Sequence, residues 1–118
     1  MAKSMLIITR RAPWAGPGAR EALDIALAGG AFDLPLAMLF LDDGVFQLAS
    51  GQTPGRLEQK DLTANLQALP LFGVESLYAS AHSLSQRGLA TDMNLPVEVL
   101  DDAALRALIE RHDQVITL

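Results

Sequence analysis

Two adjacent carboxylates, Asp42 and Asp43, close an apolar run that extends from Leu34 to Leu41, and Gly44 follows them. Such a pair could hold a hard cation or serve as general acid and base. Adjacent residues of a strand point to opposite faces, however, which works against convergence of the two carboxylates on one ion. No third acidic ligand stands close by in sequence. A phosphoacceptor receiver domain would want its acidic pair after the first strand and a lysine near the last, whereas the only lysines are Lys3 and Lys60. The pair is therefore expected to finish a strand in solvent.

The stretch TRRAPWAGPGAR, from Thr9 to Arg20, invites comparison with a phosphate-binding loop. Gly16 and Gly18 precede a helical pattern, and a helix N-terminus favours anions. The pattern GxxxxGK[ST] is absent, and Glu21 occupies the place where the third glycine of GxGxxG would fall. Pro13 and Pro17 fit a stiff loop that feeds the first turn of a helix. Trp14 is either a contact anchor or a cover for its own domain.

The two histidines, His82 and His112, have no partner histidine close in sequence, which disfavours a zinc site. His112 falls near the end of a helical pattern, where an imidazole is favourable without any further role. His82 follows a strand end beside Ser80 and Ser83 and could act as acid or base. The GxSxG elbow is missing, so a serine hydrolase is not expected. Val45, Phe46 and Leu48 differ from all of these. They follow a polar break, and they either fold back onto the body or face outward as a contact surface.

These residues need a frame. Short apolar runs at Ser4–Thr9, Pro35–Leu41, Ser76–Ser80, Pro96–Leu100 and Gln114–Leu118 read as strands, and runs apolar throughout suit strands covered on both faces. Between them, Ala22, Leu23, Ala26 and Leu27 share a helical face, with Gly29-Gly30 as the expected stop. Further helices are expected over Leu57–Leu69, around Leu84–Arg87 before Gly88, and after an Asp101 or Asp102 cap with Leu105, Leu108 and Ile109 buried. Alternating strands and helices predict an α/β fold: three α/β/α layers about a mostly parallel five-stranded sheet. Ligands of such sheets gather beyond the carboxyl ends of the strands.

The chain has 118 residues, which sets one domain over 1–118 as the expectation. Half of the residues are hydrophobic, so disorder is disfavoured. A net charge of -5 lacks the positive field that draws nucleic acid. No apolar stretch approaches the length of about 20 residues needed to span a bilayer, and a soluble cytoplasmic protein is expected. There is no cysteine, which removes disulfides, thiolate metal sites and any thiol nucleophile.

Taken in order, Ala12-Pro13, AREALDIALA at 19–28, LDDGVFQL at 41–48, GQTP at 51–54, LPLFGVESLYASAHSLSQRGL at 69–89 and the closing VITL resemble the TusC/DsrF subunits of the DsrE/F/H-like sulfur-relay family. The resemblance implies a small flavodoxin-like α/β/α domain in a cytoplasmic hetero-oligomer. The implied partners are TusB-like and TusD-like chains, in a dimer of heterotrimers that relays persulfide sulfur from TusA through TusD to TusE. The destination is 2-thiolation of the tRNA wobble uridine or, for DsrF relatives, sulfur oxidation.

In that family the sulfur carrier is a cysteine near the end of the third strand on the TusD/DsrE-type subunit. The matching stretch here is Ala79-Ser80-Ala81-His82, and neither alanine nor serine can carry a persulfide. The resemblance thus implies a non-catalytic subunit without cofactor or metal. Asp43, Gly44, Val45, Phe46 and Leu48 are the expected partner interface. Arg10-Arg11 departs from the smaller, uncharged residues expected after the first strand, and is either paired to a partner or solvated. A stand-alone flavodoxin-like protein that binds a small ligand through Gly16, Gly18 and the strand ends is the rival reading.

Overall fold

A computed structural model describes residues 4–12, 18–31, 35–48, 76–89 and 97–118. Five strands, β1 (Met5–Thr9), β2 (Leu36–Phe40), β3 (Ser76–Ser80), β4 (Val97–Leu100) and β5 (Gln114–Thr117), form one sheet in the order β4-β3-β2-β1-β5. Every pairing is parallel; Met5 faces Leu36 and Gln114, and Ser80 faces Leu100. Pro35 stands at the entry of β2, where its carbonyl accepts from the Met5 amide at 3.0 Å. A proline there sacrifices no ladder donor.

Side chains alternate between two cores, as the period of a strand requires. Ile7, Leu36, Met38, Phe40, Leu77 and Ala79 face the first core, under helix α1 (Gly18–Ala31). Leu6, Ile8, Ala37 and Leu39 face the second, under helix α3 (Asp102–Glu110). All five residues of β2 are buried, because it lies between β1 and β3 with both faces covered. The edge strands β4 and β5 are more open, and Val115 is an exposed apolar residue.

Helix α1 presents Ala22, Leu23 and Ala26 to the sheet, as their spacing predicts. It does not stop at Gly29-Gly30 but runs to Ala31. Gly29 is buried, and a Cβ there would collide with Leu36 Cδ1. This glycine serves close helix–strand approach rather than termination.

Helix α2 (Ala81–Gln86) begins earlier than the expected Leu84 start, because the Ser80 hydroxyl caps it. It ends as the sequence predicts. Gly88 has φ +63, and the amides of Gly88 and Leu89 bond back to the carbonyls of Ser85 and Leu84. That is a Schellman closure with glycine in the left-handed position. Asp101 caps α3, accepting from the Ala104 amide at 2.8 Å. Leu105 and Leu108 are buried beneath this helix, but Ile109 is exposed, at the rim of a groove with Leu41. The helix expected over Leu57–Leu69 lies outside the described residues.

The layering locates the site. α1 and α2 pack on the first core and α3 on the second. The helix after β3 and the helix after β4 therefore lie on opposite faces, and the strand order reverses between β1 and β5, which is the topological switch of the sheet. In open parallel sheets a ligand crevice forms at such a point.

Candidate functional site

The carboxyl end of β3 is closed and neutral. Ser80 is 1% exposed, and its Oγ accepts from the Ser83 amide at 3.1 Å. Ser83 is also buried, and its own Oγ accepts from the Asp42 amide at 2.9 Å. The hydroxyls at the strand–helix junction are thus taken up by backbone donors of α2 and of the neighbouring turn. His82 is exposed on the first turn of α2. Its ring is not joined to Ser80 or Ser83 by any hydrogen bond described, so the three do not assemble into a nucleophile with its base.

The carboxyl end of β2 is open and charged. Beyond Leu41 the chain enters a 3₁₀ segment, Asp42–Leu48. Asp42 has φ +52, a left-handed conformation in which Asp is better tolerated than most residues. Its carboxylate Oδ2 accepts from Arg10 Nε and Nη2, both at 2.7 Å. Asp43 Oδ1 accepts from Arg87 Nε at 2.9 Å. The two carboxylates diverge to arginines on different elements. They do not converge on one point, and they follow the end of β2 as the sequence suggests.

Gly44 and the apolar side chains behind it face inward. A Cβ on Gly44 would collide with the Thr9 carbonyl oxygen, so this glycine lets the 3₁₀ segment ride on the end of β1. Val45 and Leu48 are 0% and 5% exposed and belong to the first core. They fold back onto the body, and their side chains have no surface to offer a partner. Of the expected interface, Phe46 is half-buried and Asp43 exposed.

Gln47, which sequence reasoning missed, is buried at 3% exposure. Its Nε2 donates to Thr9 Oγ1 at 2.8 Å and to the Arg11 carbonyl at 2.9 Å, pinning the segment to β1. Its Oε1 has no partner among the described residues. The signal lay in a polar residue set among Val45, Phe46 and Leu48, where only a partnered amide can be buried at low cost.

The ends of β1, β2 and β5, with Arg87 just after α2, line an open crevice of about 510 Å³ whose walls are chiefly Arg10, Arg11, Asp42, Asp43, Arg87 and Leu118. Arg10 is thus paired within its own chain. Arg11 is exposed, and no ion pair joins its guanidinium to another described residue. Arg87, also missed, donates through Nη1 to the Ser83 carbonyl at 3.3 Å and so bridges α2 to Asp43. Gly18 opens α1, as its place in the sequence suggests; Trp14 and Gly16 lie outside the described residues. At the far end of the molecule, His112 Nδ1 donates to the Leu108 carbonyl at 2.7 Å, a helix-end contact that explains this histidine.

Comparison with known proteins places this geometry. The model of the DsrE/DsrF-like family matches residues 3–118. The chain belongs to the DsrE/DsrF-like family. It is 71% identical to a TusC homolog of Pseudomonas aeruginosa over the whole of both chains. It is 32% identical to the intracellular sulfur oxidation protein DsrF of Allochromatium vinosum, over 98% of this chain and 96% of that one. Among solved structures, the ychN protein of E. coli superposes with a TM-score of 0.76 over the whole of both chains, at 21% identity, which speaks for the shared fold. Within the family's α/β fold, the strand-end region of this member offers a capped serine at β3 and arginine–aspartate pairs at β2.

Proposed function

We propose that the chain is a non-catalytic structural subunit of a TusBCD-type sulfur-relay complex, one that passes persulfide sulfur toward 2-thiolation of the tRNA wobble uridine. Family membership and the two named relatives support a sulfur-relay protein. The observation that carries the non-catalytic role is the end of β3. A sulfane sulfur must sit on a thiolate, and thiolates are favoured at helix N-termini. Here the residue at that junction is Ser80, buried and committed as the cap of α2, in a chain that has no cysteine at all.

On this reading the reactive cysteine resides on a TusD-like partner, and a TusB-like chain completes a heterotrimer that pairs with a second one. TusA and TusE meet the complex as donor and acceptor, in the cytoplasm. Among the described residues no helix is long and apolar enough to cross a membrane. The contact surface assigned to this chain narrows to Asp43 and Phe46, with Gly44, Val45 and Leu48 holding them in place from below. The higher identity to the TusC homolog than to DsrF favours tRNA thiolation over sulfur oxidation as the destination.

The test is co-expression with TusB-like and TusD-like chains, followed by affinity capture and size-exclusion chromatography. Co-elution of all three chains is expected, with persulfide detected by mass spectrometry on the TusD-like chain alone. A chain that stays solitary, or that turns over a sulfur donor and acceptor unaided, refutes the proposal.

A further inference from the structure

We infer that the outer face of α3 is a self-association surface, on which a second copy of this chain lays its own α3 antiparallel about a twofold axis level with Leu108. The inference is argued on this chain alone. On the assembly reading above, it places the axis about which two heterotrimers pair.

The second face of the sheet is thinly covered. Among the described residues the first core lies under α1, α2 and the 3₁₀ segment, whereas α3, nine residues long, is the one helix packed on the second. An open groove of about 430 Å³ lies beside it, with Leu39, Leu41, Leu105 and Ile109 in its lining. Ile109 is 37% exposed, so the apolar lining continues out to the surface of the helix as one patch. Ala103 and Ala107 are exposed as well, and neither has the bulk to hold a second helix off.

The charges at this groove identify the occupant. Asp102, Arg106 and Glu110 stand four residues apart, a spacing at which opposite charges on a helix ordinarily pair. Arg20 and Asp24 do so on α1, yet Arg106 forms no ion pair with either neighbour. Glu110 lies in the last turn, where the helix dipole disfavours a carboxylate. The adjacent Arg111 does not relieve it, since its guanidinium lies over the Tyr78 ring and donates to the Tyr78 hydroxyl at 3.1 Å. One turn of α3 thus carries a cation and a poorly placed anion, neither paired among the described residues.

A partner surface of a single sign satisfies one of these charges and repels the other. A reversed second copy satisfies both, because a twofold axis makes every contact twice. With the axis at Leu108, residue 106 of each copy falls opposite residue 110 of the other, and two Arg106–Glu110 pairs form. The two Ile109 side chains meet beside the axis, between those pairs, and each covers the mouth of a groove. A face of nine residues buries less than about 1,200 Å² in total, which makes the contact weak and reversible in the isolated chain.

Sedimentation equilibrium of the isolated chain over a wide concentration range tests the surface. The variants are Arg106→Glu, Glu110→Arg, the double variant that carries both, and Ile109→Ser; all three positions are exposed, and thermal melts check that each variant is folded. Wild type is expected to form a reversible dimer. Each single reversal sets like charges opposite each other twice and is expected to weaken the dimer about tenfold or more at low salt. The two reversals move the net charge in opposite directions, so a shared loss is not a bulk effect. The double variant restores both pairs and is expected to associate like wild type. Ile109→Ser is expected to weaken the dimer at low and high salt alike.

A chain that stays monomeric at every concentration overturns the surface, as does a dimer indifferent to the single reversals. A double variant as weak as the singles is equally fatal, because it shows that Arg106 and Glu110 do not face each other. Co-expression with the TusB-like and TusD-like chains keeps the two readings apart. A three-chain complex beside a monomeric isolated chain removes this surface and leaves the assembly reading standing, and a dimer that captures neither chain does the reverse.

Discussion

The ends of β2 and β3 are neighbours in one sheet and are built in opposite ways. At β3 the chain turns into α2 through a serine that is buried, neutral and internally bonded. At β2 it turns through two aspartates whose side chains, 42% and 59% exposed, pair with arginines from elsewhere in the chain. The junction at β3 is sealed, while the accessible charged groups lie on the rim after β2. On the proposed reading, the difference separates presenting a nucleophile, left to a partner, from being recognised.

The largest effect should come from the residue that lets the charged turn ride on β1. A methyl group at Gly44 meets the Thr9 carbonyl, a backbone atom that cannot swing aside. Gly44→Ala is expected to destabilise the chain by about 3 kcal/mol, toward the upper end of overpacking costs. Urea unfolding of the isolated protein measures it. A loss below about 1 kcal/mol would mean that the turn is free to shift, and that its contact with β1 does not hold the rim in place.

Next in size is a contrast within one turn. Val45 is fully buried in the first core, so Val45→Ala should cost about 2 kcal/mol through lost transfer energy and a residual cavity. Phe46 is only half-buried, so Phe46→Ala should cost the isolated chain less. In the complex the ranking is expected to reverse. Truncating an aromatic anchor can remove about 2 kcal/mol or more of binding, so Phe46→Ala should reduce co-elution with the partner chains more than Val45→Ala does. Undiminished co-elution of Phe46→Ala would rule out this surface as an anchor.

At the sealed junction the expected change is smaller. Ser80→Ala removes the hydrogen bond to the Ser83 amide and should cost about 1 kcal/mol, the usual value of a helix cap. Thiolated uridine in cells that carry this variant should match wild type. A severe loss with the complex intact would give Ser80 a role beyond capping. Ser80→Cys sharpens the same point. The added thiol would be buried, so a thiol reagent should label it far more slowly in the native protein than in urea.

Much of this frame was legible in the sequence, and the exceptions share a cause. Apolar runs marked all five described strands to within a residue or so, most directly in β1 and β2, where a buried parallel strand writes its environment into composition. The last helix was equally clear from Asp101, Leu105 and Leu108. What failed was the reading of features whose meaning depends on a distant neighbour. Gly29 looked like a stop because nothing local shows Leu36 packed against it. Val45 and Leu48 looked available because a short apolar stretch after charged residues has the same appearance whether it folds inward or outward. Arg10 and Arg87 could not be paired with their aspartates, since partners 32 and 44 residues away leave no periodic trace.

The smallest prediction tests whether the rim is structural at all. Arg87–Asp43 is an ion pair with a mostly exposed carboxylate, and such pairs contribute roughly 0–1 kcal/mol. Asp43→Asn should therefore leave the urea midpoint of the isolated chain nearly unchanged. It should nevertheless free Arg87 Nε and remove one negative charge from the crevice. If the rim exists for recognition, the variant will capture the partner chains with a steeper salt dependence than wild type. If instead stability falls by as much as Ser80→Ala while capture keeps its salt dependence, the pairs serve the fold, and the contrast between the two strand ends reduces to two ways of closing a turn.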